Sequence, residues 1–168
     1  MMQILIRKAV PSDISCIYSL ILELAVFEKE PDAVLITEKE LYQYGFGRDA
    51  FYKCIVAEVN NQIVGMALFY FRFSTWKGKA LHLEDLIVTK SFRGKGIGQA
   101  LYDEVLLYSF EQGVRRVQWE VLNWNRPAIE FYEKSGANIL HDWYLVQMHE
   151  EELKVYTKNK KSKLNDSL

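Results

Sequence analysis

The chain has 168 residues, 49% hydrophobic and 26% charged, with a formal net charge of −1. That length and composition are those of a globular chain, most simply one domain able to bury a proper core. The near-neutral balance gives no overall reason to expect nucleic acid or an anionic membrane as partner. The apolar part of Met1–Lys8 is too short for a signal peptide, and no run is long enough to span a bilayer. Two cysteines, Cys16 and Cys54, stand outside any C-x-x-C pair or metal spacing and fit a reducing cytosol, so a cytoplasmic protein is expected.

Ile4 and Ile6 predict a first strand, ended by Pro11. Ser12 or Asp13 can cap a helix carrying Ile14, Ile17, Tyr18, Ile21, Leu24 and Ala25 on one face. Thr37-Glu38-Lys39-Glu40 matches a capping box, so a second helix starts there and ends near Gly45 or Gly47. Residues 52–59 and 62–73 read as strands joined by a tight turn at Asn60-Asn61. Residues 80–89 form the next strand, and 97–112 a helix with Ile97, Leu101, Val105 and Tyr108 facing inward, stopped by Gly113. Arg116–Val121 alternates like a strand. Asn125 can cap a further helix carrying Ala128, Phe131, Tyr132 and Ser135, stopped by Gly136. Leu140–Met148 is predicted as a final strand. The basic stretch from Lys154 to Lys163 is poor in large apolar residues, so residues 1–153 are expected to fold and 154–168 to form a mobile tail. The order of elements predicts an α+β class with a mixed, mostly antiparallel central sheet flanked by helices.

Arg93-Gly94-Lys95-Gly96-Ile97-Gly98 lies between the apolar strand Leu81–Val88 and a helix. Strand, glycine loop and helix together suit a pyrophosphate, because glycines turn consecutive N–H groups toward it and the helix adds the positive end of its dipole. Arg93 adds a planar cation that can fork onto phosphate oxygens. The loop ends Gly-Ile-Gly-Gln, which lacks the Gly-Lys-Ser/Thr of a P-loop. A Rossmann fingerprint counted from Gly94 needs glycine where the chain has Gln99, and the loop follows the wrong strand in order.

The spacing R-G-x-G-x-G after an acidic-apolar strand resembles the acetyl-CoA loop of the GNAT superfamily of N-acetyltransferases. Asn125-Arg126-Pro127-Ala128-Ile129-Glu130-Phe131-Tyr132-Glu133-Lys134-Ser135-Gly136-Ala137 resembles a second segment of the same superfamily. The resemblance extends through Glu23–Lys29, Gly45-Phe46-Gly47, Phe51–Glu58, Ser74–Lys79 and Leu83-Glu84-Asp85. These stretches are similar to the diamine acetyltransferase branch, which includes spermidine/spermine N1-acetyltransferases and thialysine Nε-acetyltransferases. The polyamine enzymes carry Tyr-Glu where this chain has Phe27-Glu28, and an aspartate where it has Ser74. Phe27 and the Ser-Thr-Trp-Lys-Gly string match the thialysine side better, and loss of an anion and a hydroxyl removes partners for a long polycation.

The resemblance implies a GNAT fold whose splayed strands hold acetyl-CoA, and direct transfer of its acetyl group to a small primary amine. A thialysine- or lysine-like acceptor is favoured, with spermidine or spermine as the alternative. It assigns acetyl-CoA to Leu86, Ile87, Val88, Arg93, Gly94, Lys95, Gly96, Ile97, Gly98, Gln99, Asn125 and Ala128. An ordinary N-cap explains Asn125 equally well. The amine falls to Phe27, Glu28, Trp76 and Glu84, although core packing or a dimer contact accounts for Trp76 as well. A free alkylamine has a pKa of about 10.4 and must lose a proton before attack. Glu84 is the candidate base and Tyr132 the candidate acid for the leaving thiolate. Glu84 and Asp85 face opposite sides of a regular strand unless a bulge intervenes. A strand bulge is expected to free a main-chain N–H from the Leu86–Val88 region for the reacting oxygen.

Neither cysteine has a context that lowers its pKa, which argues against an acyl-cysteine route. His82, His141 and His149 show no metal spacing, and no metal is expected. A homodimer is implied by the branch; neither nucleic acid nor membrane is expected as partner. Two other classes remain open on sequence: a non-catalytic acetyl-CoA-binding module, and a protein lysine or N-terminal acetyltransferase.

Overall fold

The Asn60-Asn61 pair takes left-handed φ values of 50° and 61°. This is the geometry a two-residue hairpin turn demands, and it joins β2 (Lys53–Val59) to β3 (Gln62–Ser74). The computed structural model describes residues 3–165, with side chains through 160. It divides into two compact units, Met1–Leu122 and Asn123–Leu168.

The first unit is built on a five-stranded sheet in the order β1-β2-β3-β4-β5. β1 (Ile4–Lys8), β2, β3 and β4 (Gly78–Val88) are successively antiparallel. β5 pairs parallel with β4 and is only Val117–Gln118, shorter than the expected Arg116–Val121. Against one face lie α1 (Ile14–Phe27) and α2 (Glu38–Phe46). Their Ile14, Ile17, Leu20 and Leu41 bury with Cys54, Val56, Met66, Leu68 and Ile87 of the sheet. α3 (Ile97–Glu111) contacts β1 through β4. Its Leu101 and Val105 are fully buried, and its Tyr108 ring lies 5.4 Å from that of Phe69. β3 alternates accordingly, Met66 and Leu68 toward α1 and Phe69 toward α3.

The Thr37–Glu40 capping box forms as expected: the Thr37 hydroxyl accepts the Glu40 N–H, and the Glu40 carboxylate accepts the Thr37 N–H at 2.9 Å. Asp13 behaves differently from a helix cap. A 3-10 turn over Pro11–Asp13 starts the winding early. The Asp13 carboxylate accepts the Val10 N–H at 2.8 Å and both Nη atoms of Arg7, at 2.7 and 3.0 Å. Arg7 also reaches Glu58 on β2, so one guanidinium fastens β1, its neighbouring strand and the start of α1.

In the second unit, α4 runs over Arg126–Lys134 and α5 over Glu150–Asn165. The predicted strand over Leu140–Met148 is absent. No strand among the described residues pairs with that apolar run, and Trp143, Tyr144 and Val146 are exposed. A strand needs a neighbour for its backbone groups, which composition cannot supply. The residues expected as a mobile tail continue α5 as far as Asn165; 166–168 lie outside the described residues. The acidic first turn Glu150-Glu151-Glu152 suits a helix N-terminus, and Lys154 pairs with Glu150 at 2.8 Å and Glu151 at 3.0 Å.

Candidate active site

β4 is paired along its length with β3, but with β5 only at Leu81 and His82. From Leu83 to Val88 its other edge has no strand partner among the described residues, because β5 ends at Gln118. The β3–β4 register shifts at the same place: Leu68 stands opposite Asp85, Phe69 opposite Leu83, and Glu84 is the extra residue of a bulge. The bulge therefore lies at Glu84, and Leu86–Val88 beyond it run in register with Ala67, Met66 and Gly65. A bulge resets the alternation of side chains, so Glu84 and Asp85 are no longer forced to opposite faces.

Burial, then the negative charges of Glu84 and Glu28, push the Asp85 carboxyl up to about 7. Glu28, at the C-terminal end of α1, is raised by partial desolvation. An ammonium group placed among these carboxylates relieves their mutual repulsion. Beside them His82 is 5% exposed, with Nε2 at 3.1 Å from Glu120 and 3.4 Å from Glu84.

β4 leads directly into the glycine loop. After a 3-10 turn at Lys90–Phe92, Gly94 and Gly96 adopt φ values of 73° and 81°, and Gly96 caps α3. A Cβ on either would meet nothing within 4 Å, so the left-handed backbone, not crowding, asks for glycine. The first N–H groups of α3, from Ile97 onward, have no partner one turn back within the helix. An open glycine turn running into such a helix fits a pyrophosphate.

A model of the acetyltransferase (GNAT) family matches residues 17–137. Thialysine N-epsilon-acetyltransferase of Bos taurus is 36% identical over 162 residues, covering 90% of this chain and 95% of its own. Spermidine/spermine N(1)-acetyltransferase-like protein 1 of Homo sapiens is 35% identical over 158 residues, covering 88% of this chain and 23% of its own. The fold is shared with aminoglycoside N-acetyltransferase AAC(6')-Iy in complex with CoA, at a TM-score of 0.71 and 14% identity, over 89% of this chain and 97% of that one. The chain belongs to the GNAT acetyltransferase family.

GNAT acetyltransferases take their acetyl group from acetyl-CoA, and in this one a left-handed glycine turn follows β4 and opens α3. Several expected ligands have other partners as well. Arg93 donates Nε to the Val88 carbonyl at 2.8 Å, and its guanidinium lies 5.0 Å from the Phe27 ring centroid. Arg93 thus ties the loop to β4, and Phe27 offers its face to that cation. Lys95 donates to the Ser91 carbonyl at 3.0 Å, and Gln99 to Asp103 at 2.7 Å. Ile97 is 1% exposed, so its contribution is its backbone. Trp76 is 79% exposed in the β3–β4 hairpin turn, at the opposite end of β4 from the glycine loop. Ser74 is buried there, its hydroxyl accepting the Lys77 N–H at 3.2 Å.

In the second unit of this acetyltransferase, the Asn125 side chain caps α4 by accepting the Ala128 N–H at 3.4 Å. The Tyr132 side chain is buried, with its ring 5.2 Å from Phe131, and its carbonyl accepts the Ser135 hydroxyl at 2.6 Å. Among the described residues no group of three or more His, Cys, Asp or Glu side chains could hold a metal ion, and no helix is long and apolar enough to cross a membrane.

Sequence reasoning passed over Glu23, Tyr70, His82 and Glu120. Glu23 accepts the Thr89 hydroxyl and the Lys90 N–H at the entrance to the loop. Tyr70 pairs with His82 in register, their rings 5.1 Å apart. A polar His82 between apolar Leu81 and Leu83 was the available signal.

Proposed function

We propose that this acetyltransferase moves the acetyl group of acetyl-CoA directly to a primary amine of a small thialysine- or lysine-like molecule. The observation carrying this reading is the bulge at Glu84, which frees Glu84 and Asp85 from opposite faces of the strand that runs into the glycine loop, with Glu28 among the charges acting on Asp85. Acetyl-CoA, when bound, supplies an activated thioester. The Gly94–Gln99 backbone holds its pyrophosphate, and the unpaired edge at Leu86, Ile87 and Val88 receives the pantetheine arm like an added strand. The main-chain N–H groups of that edge face the charge that develops on the acyl oxygen.

The carboxylates of Glu28, Glu84 and Asp85 attract the ammonium form of the acceptor. Glu84 then takes its proton, a step that an amine with a pKa of about 10.4 needs at neutral pH. Tyr132 gives a proton to the departing sulfur, a role carried over from the superfamily segment Asn125–Ala137. Asn125 and Ala128 border the CoA arm on the same grounds. Phe27 completes the amine side by analogy with the thialysine enzymes, whereas Trp76, exposed in the hairpin turn at the opposite end of β4, does not reach the carboxylates of its own chain. A homodimer follows from the branch, and a cytoplasmic location is supported by the unpaired thiols Cys16 and Cys54.

Likeness to the spermidine/spermine N(1)-acetyltransferase-like protein favours a second reading, a polyamine acceptor. Thiol release from acetyl-CoA, measured side by side with thialysine, lysine, spermidine and a lysine peptide, tests both. The highest kcat/KM with thialysine or lysine is expected. The highest with spermidine would transfer the assignment to polyamines, and the highest with the peptide would overturn the small-amine reading. Light scattering at assay concentration checks the dimer.

A further inference from the structure

We propose that His82 is a positioning residue: its Nε2–H bridges the carboxylates of Glu84 and Glu120 where β5 ends beside β4, and holds Glu84 in the orientation that accepts the amine proton. The proposal rests on the reading of Glu84 as the base. His82 is buried on β4, where its chain neighbours Leu81 and Leu83 are fully buried, with the Tyr70 ring against it at 5.1 Å. A polar ring in such a place is costly unless it is bonded. Its Nδ1 is buried and has no hydrogen-bond partner among the described residues. Only Nε2 is served, and it is served twice, at 3.1 Å by Glu120 and at 3.4 Å by Glu84. An Nε2–H in this position lies between two carboxylate acceptors.

Both carboxylate side chains are about half exposed, at 51% for Glu84 and 52% for Glu120, whereas the imidazole is fixed by its surroundings. The buried partner is thus placed to orient the exposed ones. Glu84, as a bulged residue, stands outside the cross-strand register, and its side chain is held from β3 by a hydrogen bond with Tyr70 and from β4 by His82. His82 is also the last residue of β4 paired with β5, so the same side chain braces the two strands where their pairing ends. The charged and titratable groups facing this position are Glu84 on β4, Glu120 beyond β5, and Tyr70 with the nearby Arg72 on β3.

The test is steady-state kinetics on full-length His82→Gln, His82→Asn, Glu84→Gln and the double variant Glu84→Gln/His82→Asn, each confirmed folded by thermal melt. A Gln amide reaches close to the position of Nε2, whereas an Asn amide stops near Nδ1. We expect His82→Asn to lower kcat about tenfold to a hundredfold with the KM for acetyl-CoA unchanged, and His82→Gln to recover most of that loss. In the Glu84→Gln background, His82→Asn should add less than about twofold. Equal activity of the Asn and Gln variants would overturn the proposal, as would an undiminished effect of His82→Asn in the double variant. Full activity of Glu84→Gln would instead remove Glu84 as base, and the positioning role with it.

Discussion

The Glu23 carboxylate accepts the Thr89 hydroxyl at 2.6 Å and, through its other oxygen, the Lys90 N–H at 2.9 Å. One side chain of α1 thereby anchors the chain where β4 gives way to the glycine loop. Neither contact touches the reacting groups assigned above. Glu23→Ala should raise the KM for acetyl-CoA about tenfold, the scale of losing hydrogen bonds to a charged group, with little change in kcat. A fall in kcat at constant KM would tie Glu23 to the chemical step instead.

Glu84 and Tyr132 should give different signatures. Glu84→Gln is expected to lower kcat about a hundredfold to ten-thousandfold, the range of general-base catalysis. Tyr132→Phe should slow turnover about tenfold to a thousandfold while leaving acetyl-CoA affinity nearly intact. Calorimetric titration with acetyl-CoA, beside the kinetics, separates the two effects.

Two aspartates should pull stability in opposite directions with pH. Asp85, buried and facing the charges of Glu84 and Glu28, has its carboxyl raised to about 7. The native chain keeps that proton where the unfolded chain has lost it, so its contribution is complete below the unfolded value and lost as pH rises toward 7. Asp85→Asn should raise the melting temperature relative to wild type at pH 8 and change it little at pH 4. Hydrogen bonding from Arg7 holds Asp13 below the usual carboxylate range. Its contribution is present above the unfolded value and disappears as pH falls through the depressed one. Asp13→Asn should cost about 1–3 kcal/mol at pH 7, and progressively less as pH falls below the ordinary carboxylate range.

Cys54 should take no part in transfer. Burial pushes its thiol well above the ordinary range, with the negative charges of Asp85 and Asp13 adding to the effect. Such a thiol supplies no thiolate for an acyl intermediate. Cys54→Ala should keep wild-type kcat, and a thiol reagent added to the native enzyme should label Cys16, which is exposed, and not Cys54. A large loss of kcat in a folded Cys54→Ala enzyme would reopen the two-step route.

Features legible in the sequence were those set by neighbours along the chain. Thr37 and Glu40 write their capping box within four residues, and Asn60-Asn61 dictates its own turn. The glycines at 94 and 96 announce the left-handed loop before α3. What was missed depends on partners far away in the chain. Thr89 meets Glu23 across 66 positions, and His82 meets Glu120 only because β5 lies beside β4. The apolar character of Leu140–Met148 resembles a strand, yet pairing is a property of two segments and no single one declares it. A bulge is likewise a mismatch between strands, so Glu84 could be named as a candidate base while its actual placement stayed hidden.

The extra residue at Glu84 has a consequence for how such an enzyme could lose its activity. Leu83 and Asp85 already stand opposite Phe69 and Leu68, which are consecutive on β3. Excising Glu84 would close the ladder into uninterrupted pairing, with every downstream residue keeping the partner it has now. One deleted codon would thus yield a sheet at least as regular as the present one, still leading into an intact glycine loop, but without the carboxylate assigned as the base. Inheritance of the scaffold and inheritance of the reaction are separable at this single position, so a descendant could keep the donor-binding half of the protein for another use.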